Sequence, residues 1–192
     1  MRFLPIFIAL VALAGCQKPP GQAPANQAAP AAAEAGPQKG VDRSHRGQPA
    51  PDALFKNPDG GDISLARFKG VPVLVNLWAT WCAPCVKELP TLDKLAQSHA
   101  VDGQLGVVAV SQDSGPQPSV AAFLKKLNVN DLGAYHDPEM ALSSALGPDV
   151  VLPTSILIGA DGREVWRYVG DLDWTSPEAA RLLAEAKPAG KG

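Results

Sequence analysis

Cysteine and histidine are scarce in this sequence, with three of each in 192 residues. So few thiols exclude a fold stapled by several disulfides, and the odd number leaves one cysteine without a partner in the chain. There is no second cysteine pair, and His45, His99 and His136 fall without ligand spacing, so a four-ligand zinc site cannot be assembled. His45 belongs to a polar tail, and His99 is expected at the solvent end of a helix. No charge of one sign dominates: 17 Lys and Arg stand against 19 Asp and Glu, a net charge of −2. That balance argues against nucleic acid or an acidic polymer as partner. No internal repeat is present, and nothing calls for a cofactor or a metal. Apolar runs are short as well. The one that opens the chain, Phe3 to Ala14, is broken by Pro5 and falls below the roughly 20 residues a membrane span requires.

What that opening run does suit is the core of an export signal, with Arg2 as its positive start. It ends in Leu13-Ala14-Gly15-Cys16, which resembles the lipobox of bacterial lipoproteins. The resemblance implies cleavage before Cys16 and lipidation of its sulfur, which also accounts for the odd cysteine. Residues 1–15 are then a signal peptide, and the protein belongs in a bacterial cell envelope, facing the periplasm or the outer surface. Residues 16–48 are rich in Pro, Ala, Gln and Gly with almost no large apolar side chain, a composition that predicts a disordered tether. A flexible chain of that length reaches about 30 Å, enough to hold a domain clear of a membrane.

The folded domain is expected over residues 49–188. Asn57-Pro58-Asp59-Gly60-Gly61 is a turn signal between two short apolar segments and predicts an N-terminal β-hairpin. Val71 to Trp78 and Leu105 to Val110 read as strands buried on both faces. Helical spacing runs from Ala83 to about Ser98, interrupted by Pro90, and again from Pro118 to Leu127. A short helix is expected over Pro138 to Leu146. Ser155 to Ile158 and Glu164 to Tyr168 form a second hairpin around Gly159-Ala160-Asp161-Gly162. A last helix runs from Pro177 to Ala186 with Ser176 as its N-cap. This order predicts an α/β domain with helices on both faces of its sheet.

Chemistry concentrates in Trp81-Cys82-Ala83-Pro84-Cys85, where a buried strand gives way to a helix. The first helical turn offers unpaired N–H groups and the positive end of the macrodipole, which favour a thiolate. A cysteine there can titrate anywhere from about 3.5 to 7.5. Two intervening residues bring the second thiol one turn on, within reach of the first. Pro84 suits the first turn, where its missing N–H costs nothing. A disulfide across so short a loop contributes little stability, so disulfide exchange explains the pair better than stapling does. Glu88 stands three residues beyond Cys85 on the same helix, where a carboxylate could take that thiol's proton.

The run Asn76-Leu77-Trp78-Ala79-Thr80-Trp81-Cys82-Ala83-Pro84-Cys85 resembles the active-site signature of the thioredoxin superfamily. More narrowly, it is similar to the TlpA/ResA/DsbE-like membrane-anchored branch. Three other segments match: Gly70 to Asn76, with Asn76 where thioredoxin has a buried acid; Lys87-Glu88-Leu89-Pro90; and Val151-Leu152-Pro153-Thr154 with the hairpin that follows. The likeness covers about residues 47 to 187. It implies a thioredoxin-like fold with a central mixed sheet, a redox-active Cys82–Cys85 disulfide, and a cis bond before Pro153 opposite the pair. It further implies that Glu88 tunes the thiols, and that Trp81, Pro84, Leu152 and Pro153 meet substrate, Leu152 through backbone hydrogen bonds. The implied activity is reduction of disulfides in partner proteins, as in cytochrome c maturation or metal-site assembly. A membrane electron donor of DsbD or CcdA type would reset the pair. Three other activities use the same fold: disulfide oxidation, peroxide reduction, and copper delivery through Cys82, Cys85 and a histidine such as His136.

Overall fold

A computed structural model of the chain describes residues 38–99, 103–148 and 150–186. The signal segment, Cys16 and the tether up to residue 37 lie outside the described residues. Strand β1 (Gly40–Asp42) comes first, then the hairpin β2 (Phe55–Lys56) and β3 (Asp62–Ile63), and a 3-10 turn over Leu65–Phe68. Strand β4 (Val73–Trp78), helix α1 (Ala83–His99), strand β5 (Gly106–Ser111), helix α2 (Gln117–Lys126) and strand β6 (Tyr135–His136) follow. Helix α3 (Ala141–Leu146), the hairpin β7 (Thr154–Ile158) and β8 (Glu164–Val169), and helix α4 (Pro177–Leu183) complete the order. The strands form one mixed sheet in the order β1-β8-β7-β4-β5-β6-β2-β3. Strands β4, β5 and β6 are parallel, and β7 lies antiparallel on the other side of β4. No helix among the described residues is long and apolar enough to cross a membrane.

The central strand shows why this sequence folds so. All six residues of β4 are buried, so it needs apolar cover on both faces. Leu74 and Trp78 point to one face and pack with Leu89 and Leu92 of α1, Leu124 of α2 and Leu182 of α4. Val73, Val75 and Leu77 point to the other, against Phe55, Leu65, Leu142, Leu146 and Ile156. Each such side chain, fully buried, contributes about 1.5–3 kcal/mol. Asn76 shares the face of Leu74 and Trp78, and is fully buried there. The N-terminal hairpin is closed as its turn chemistry predicts. Asn57 Oδ1 accepts the N–H groups of Asp59 (3.0 Å) and Gly61 (2.8 Å), and Gly60 takes a positive φ of 84°.

Order begins earlier than composition suggested. The stretch read as tether up to residue 48 contains β1, which adds an edge to β8 with Gly40, Val41 and Asp42 opposite Val169, Tyr168 and Arg167. Further along, Gly47 N–H donates to Glu164 O at 2.8 Å, and Arg43 and Arg46 both pair with Glu185. Edge pairing is made by backbone groups and ion pairs, which an apolar count does not register. Helix α3 also starts later than expected, at Ala141. The carboxylate of Asp137 accepts the first free N–H groups, from Ala141 (2.8 Å) and Leu142 (3.0 Å). Helix α4 stops at Leu183 rather than Ala186, and its cap is the expected one, with Ser176 accepting the Ala179 N–H at 3.2 Å.

Candidate active site

Strand β4 ends at Trp78, and the chain turns before helix α1. The turn is closed by Cys82 N–H donating to Ala79 O at 3.1 Å. Cys82 then precedes the first helical residue, and its sulfur accepts the N–H of Cys85 at 3.4 Å. The sulfur therefore does what a capping oxygen does elsewhere, satisfying one of the orphan donors of the first turn. Pro84 stands between the two cysteines, exposed. Cys82 and Cys85 are joined as a disulfide with Cα atoms 5.3 Å apart. Cys85 is fully buried, whereas Cys82 retains 6% of its surface, and Trp81 beside it is 70% exposed. The pair is asymmetric: only the first sulfur can be approached, over a rim carrying an indole.

Glu88 is not a solvated helix residue. It is 3% exposed, and three donors bind its carboxylate. Oε1 accepts from Asn76 Nδ2 at 2.8 Å; Oε2 accepts from the Leu172 N–H at 3.0 Å and Trp174 Nε1 at 3.3 Å. Burial raises its pKa from 4.5 to about 7, against the opposing pull of those three donors, and the nearby Asp171 carboxylate adds to the rise. Asn76 does not merely leave room for an acid here; it binds one directly, and also donates to Ser155 Oγ at 2.8 Å. A cleft of about 190 Å³ lined by Lys87, Glu88, Thr91, Asp171, Leu172 and Asp173 brings solvent close to the carboxylate.

The loop Gly170 to Trp174, which no motif marked, ties these parts together. Gly170 N–H donates to Pro153 O at 2.9 Å, at a φ of 96° and with the Lys39 side chain packed where a Cβ would stand. Asp171 pairs with Lys39 (2.6 Å) and Lys87 (3.1 Å), whose ammonium groups hold its carboxyl down at about 2. Leu172 and Trp174 hold Glu88. The Leu152–Pro153 bond is cis, as the resemblance implied. Leu77 pairs with Thr154, so Pro153 follows at the level of Trp78, at the sheet end where the cysteine turn lies. Leu152 is half-buried, and Val151 before it is 41% exposed.

A second polar network, centred on Asp113, which no motif marked, flanks the turn. Asp113, just past β5, accepts Thr80 Oγ1 at 2.6 Å and the Thr80 N–H at 3.0 Å. His136 is buried, with Nε2 2.6 Å from the Asp113 carbonyl oxygen, a contact in which the ring donates. That nitrogen is thereby taken up within the protein. Among the described residues no three His, Cys, Asp or Glu side chains are grouped to hold a metal ion.

Comparison with known proteins agrees with this geometry. The sequence model of the family described as Redoxin matches residues 45–183. The thiol-disulfide oxidoreductase ResA of Bacillus cereus is 31% identical over 126 residues, covering 65% of this chain and 70% of the relative. The thiol:disulfide interchange protein CycY of Rhizobium leguminosarum bv. viciae is 31% identical over 148 residues, covering 77% and 76%. Among solved structures, a thioredoxin-family thiol:disulfide interchange protein of Chlorobium tepidum TLS superposes with a TM-score of 0.58 at 27% identity, over 73% of this chain and 97% of that one.

Proposed function

We propose that this chain, which belongs to the Redoxin family, is a thiol-disulfide oxidoreductase that works as a reductase of disulfides in partner proteins outside the cytoplasm. The observation that carries the reading is the pairing of an approachable sulfur at a helix start with a buried one whose helix also bears a buried, near-neutral carboxylate. In the reduced form Cys82 is the thiolate, favoured by the N–H groups of the first turn. It attacks one sulfur of the partner's disulfide; a Cys82–partner bond forms and the other partner sulfur leaves as a thiolate that takes a proton from water. Cys85 then gives its proton to Glu88 and attacks Cys82 Sγ. The Cys82–Cys85 bond forms, the mixed disulfide breaks, and the partner's second sulfur leaves as a thiolate that takes a proton from water, so that the partner departs as a dithiol. Two electrons have moved to the partner, so an external dithiol must reduce the pair before the next round. A membrane donor of DsbD or CcdA type fits that role.

Trp81 and Pro84 form the rim such a partner meets, and the backbone of Leu152, ahead of Pro153, offers an extended segment its hydrogen bonds. Lipidation at Cys16 would hold the domain at a membrane surface in the cell envelope. Proteins whose cysteines must be reduced before haem or metal attachment, as in cytochrome c maturation, are the substrates we favour. The test is a trap. Cys85→Ser should accumulate partner proteins as mixed disulfides that a reductant releases, while Cys82→Ser should trap few. Equal trapping by both variants would overturn the division of roles. A reduced wild-type chain that transfers no electrons to a protein disulfide would overturn the function.

A further inference from the structure

The turn that delivers Cys82 is gripped by a residue outside every motif. Cys82 closes a four-residue turn that begins at Ala79, and Thr80 occupies its second position. Asp113 holds Thr80 at both its backbone and its hydroxyl, with Oδ2 3.0 Å from the N–H and Oδ1 2.6 Å from Oγ1. The carboxylate is itself fixed from below. Ser111 Oγ donates to Oδ2 at 2.7 Å and accepts the Asp113 N–H at 3.2 Å, and His136 Nε2 binds the Asp113 carbonyl at 2.6 Å. Ser111 and His136 are opposite one another in the sheet, and Ser111 is opposite Trp78, so the network spans the ends of β4, β5 and β6. Among the described residues, no lysine or arginine forms an ion pair with Asp113.

We propose that Asp113 is a positioning residue for Cys82, holding the nucleophile's turn in place and setting a negative charge beside it. The idea rests on the reading of Cys82 and Cys85 as an exchanging pair. A fixed carboxylate bonded to Thr80, two residues before the thiol, opposes the thiolate that the α1 start favours. A stabilised thiolate stabilises the reduced protein and makes the pair a stronger oxidant; opposing it keeps the pair reducing. The geometry of the helix start alone would drive Cys82 towards an oxidase. Asp113 restrains that tendency without touching either sulfur.

The test uses the full chain equilibrated with glutathione at pH 8, together with titration of the Cys82 thiolate. Asp113→Asn keeps the shape: with the amide nitrogen in place of Oδ1 the Thr80 hydroxyl can reverse its hydrogen bond, while the amide oxygen in place of Oδ2 keeps the Thr80 N–H and Ser111 Oγ as donors. It should lower the Cys82 pKa by about half to one unit. The equilibrium constant with glutathione should move about three- to tenfold towards the reduced protein, which is about 15–30 mV. Asp113→Glu keeps the charge and should stay within about twofold of wild type. Unchanged titration and potential in Asp113→Asn would overturn the proposal, and so would equal shifts in both variants, which would mark a role of shape alone. If Asp113→Asn does not fold, Asp113→Glu decides: a potential near wild type supports the charge, and a larger shift refutes it. A wild-type chain that never equilibrates with glutathione fails the proposed function and this inference with it. One that equilibrates normally and ignores Asp113→Asn fails the inference alone.

Discussion

Glu88→Gln gives the sharpest physical test of the site, because the carboxylate's burial has a calculable consequence for stability. The group has a pKa of about 7 when folded against 4.5 in its ordinary state, with burial as the main cause. The folded state therefore binds this proton more tightly than the unfolded one. The sign follows from linkage: the stabilisation is full below pH 4.5 and is lost as pH rises through 7. Its size is about 3 kcal/mol, because a tenfold change in proton affinity is worth roughly 1.4 kcal/mol. Glutamine removes the titration while the surroundings can still be satisfied. Leu172 N–H and Trp174 Nε1 keep the oxygen they now share. Asn76 can turn its amide over, so that Oδ1, which has no hydrogen-bond partner among the described residues, accepts from the new amide and from Ser155. Urea unfolding of the oxidised protein should then give two pH profiles that nearly meet at pH 4.5. The variant should be the more stable by about 3 kcal/mol at pH 8.5, most of the gap opening between pH 5 and 7.5. Parallel profiles, with a difference constant across that range, would refute the account of Glu88 as a buried acid poised near neutrality.

Of two further substitutions, one probes the site and the other a buried ion pair of β8. Trp174→Phe keeps a buried ring and removes the Nε1 donor to Glu88; since that hydrogen bond lowers the carboxyl's pKa, the stability loss in the same pH series should move to higher pH, and an unmoved profile would remove Trp174 from the site. Arg167→Met should cost about 3–5 kcal/mol in urea unfolding, because it strands the buried Glu164 carboxylate, now held at 2.8 Å by two guanidinium nitrogens, and takes a donor from Leu146 O; a cost below about 1 kcal/mol would show that water reaches the pair.

The parts of this protein legible in its sequence are those whose cause is local. A double-faced apolar run can only be an inner strand, and Val73–Trp78 is one. Trp-Cys-Ala-Pro-Cys at the junction of that strand with a helix could be read as an exchange site from the behaviour of a helix start, before any comparison. Asn57 and Ser176 act through hydrogen bonds to residues two to four positions away, and both do what their residue types predict. The strand β1 was missed for the opposite reason. Its order depends on the exposed edge of β8, well over a hundred residues later, and its own composition of Gly, Val and Asp carries no signal for that pairing.

The site divides along the same line. Glu88 was singled out by its spacing from Cys85, but spacing could not show that it is buried, because burial is supplied by Leu172 and Trp174, more than eighty residues on. Without them a glutamate three residues past a cysteine on a helix reads equally well as solvated. Asp113 offered no spacing at all: it meets Thr80 only because β4 and β5 lie side by side in parallel register, with Trp78 opposite Ser111. The reactive atoms of this chain are thus set by one contiguous motif, whereas the carboxylates around them are placed by the ends of other elements, Glu88 held by the loop after β8 and Asp113 just past the end of β5. On the roles proposed above for Glu88 and Asp113, a chain that kept the motif and changed those two neighbourhoods would keep the exchanging sulfurs yet shift its proton affinities and its potential. On those proposals, the direction of electron flow is set by Glu88, Asp113 and their donors more than by Cys82-Ala83-Pro84-Cys85 itself.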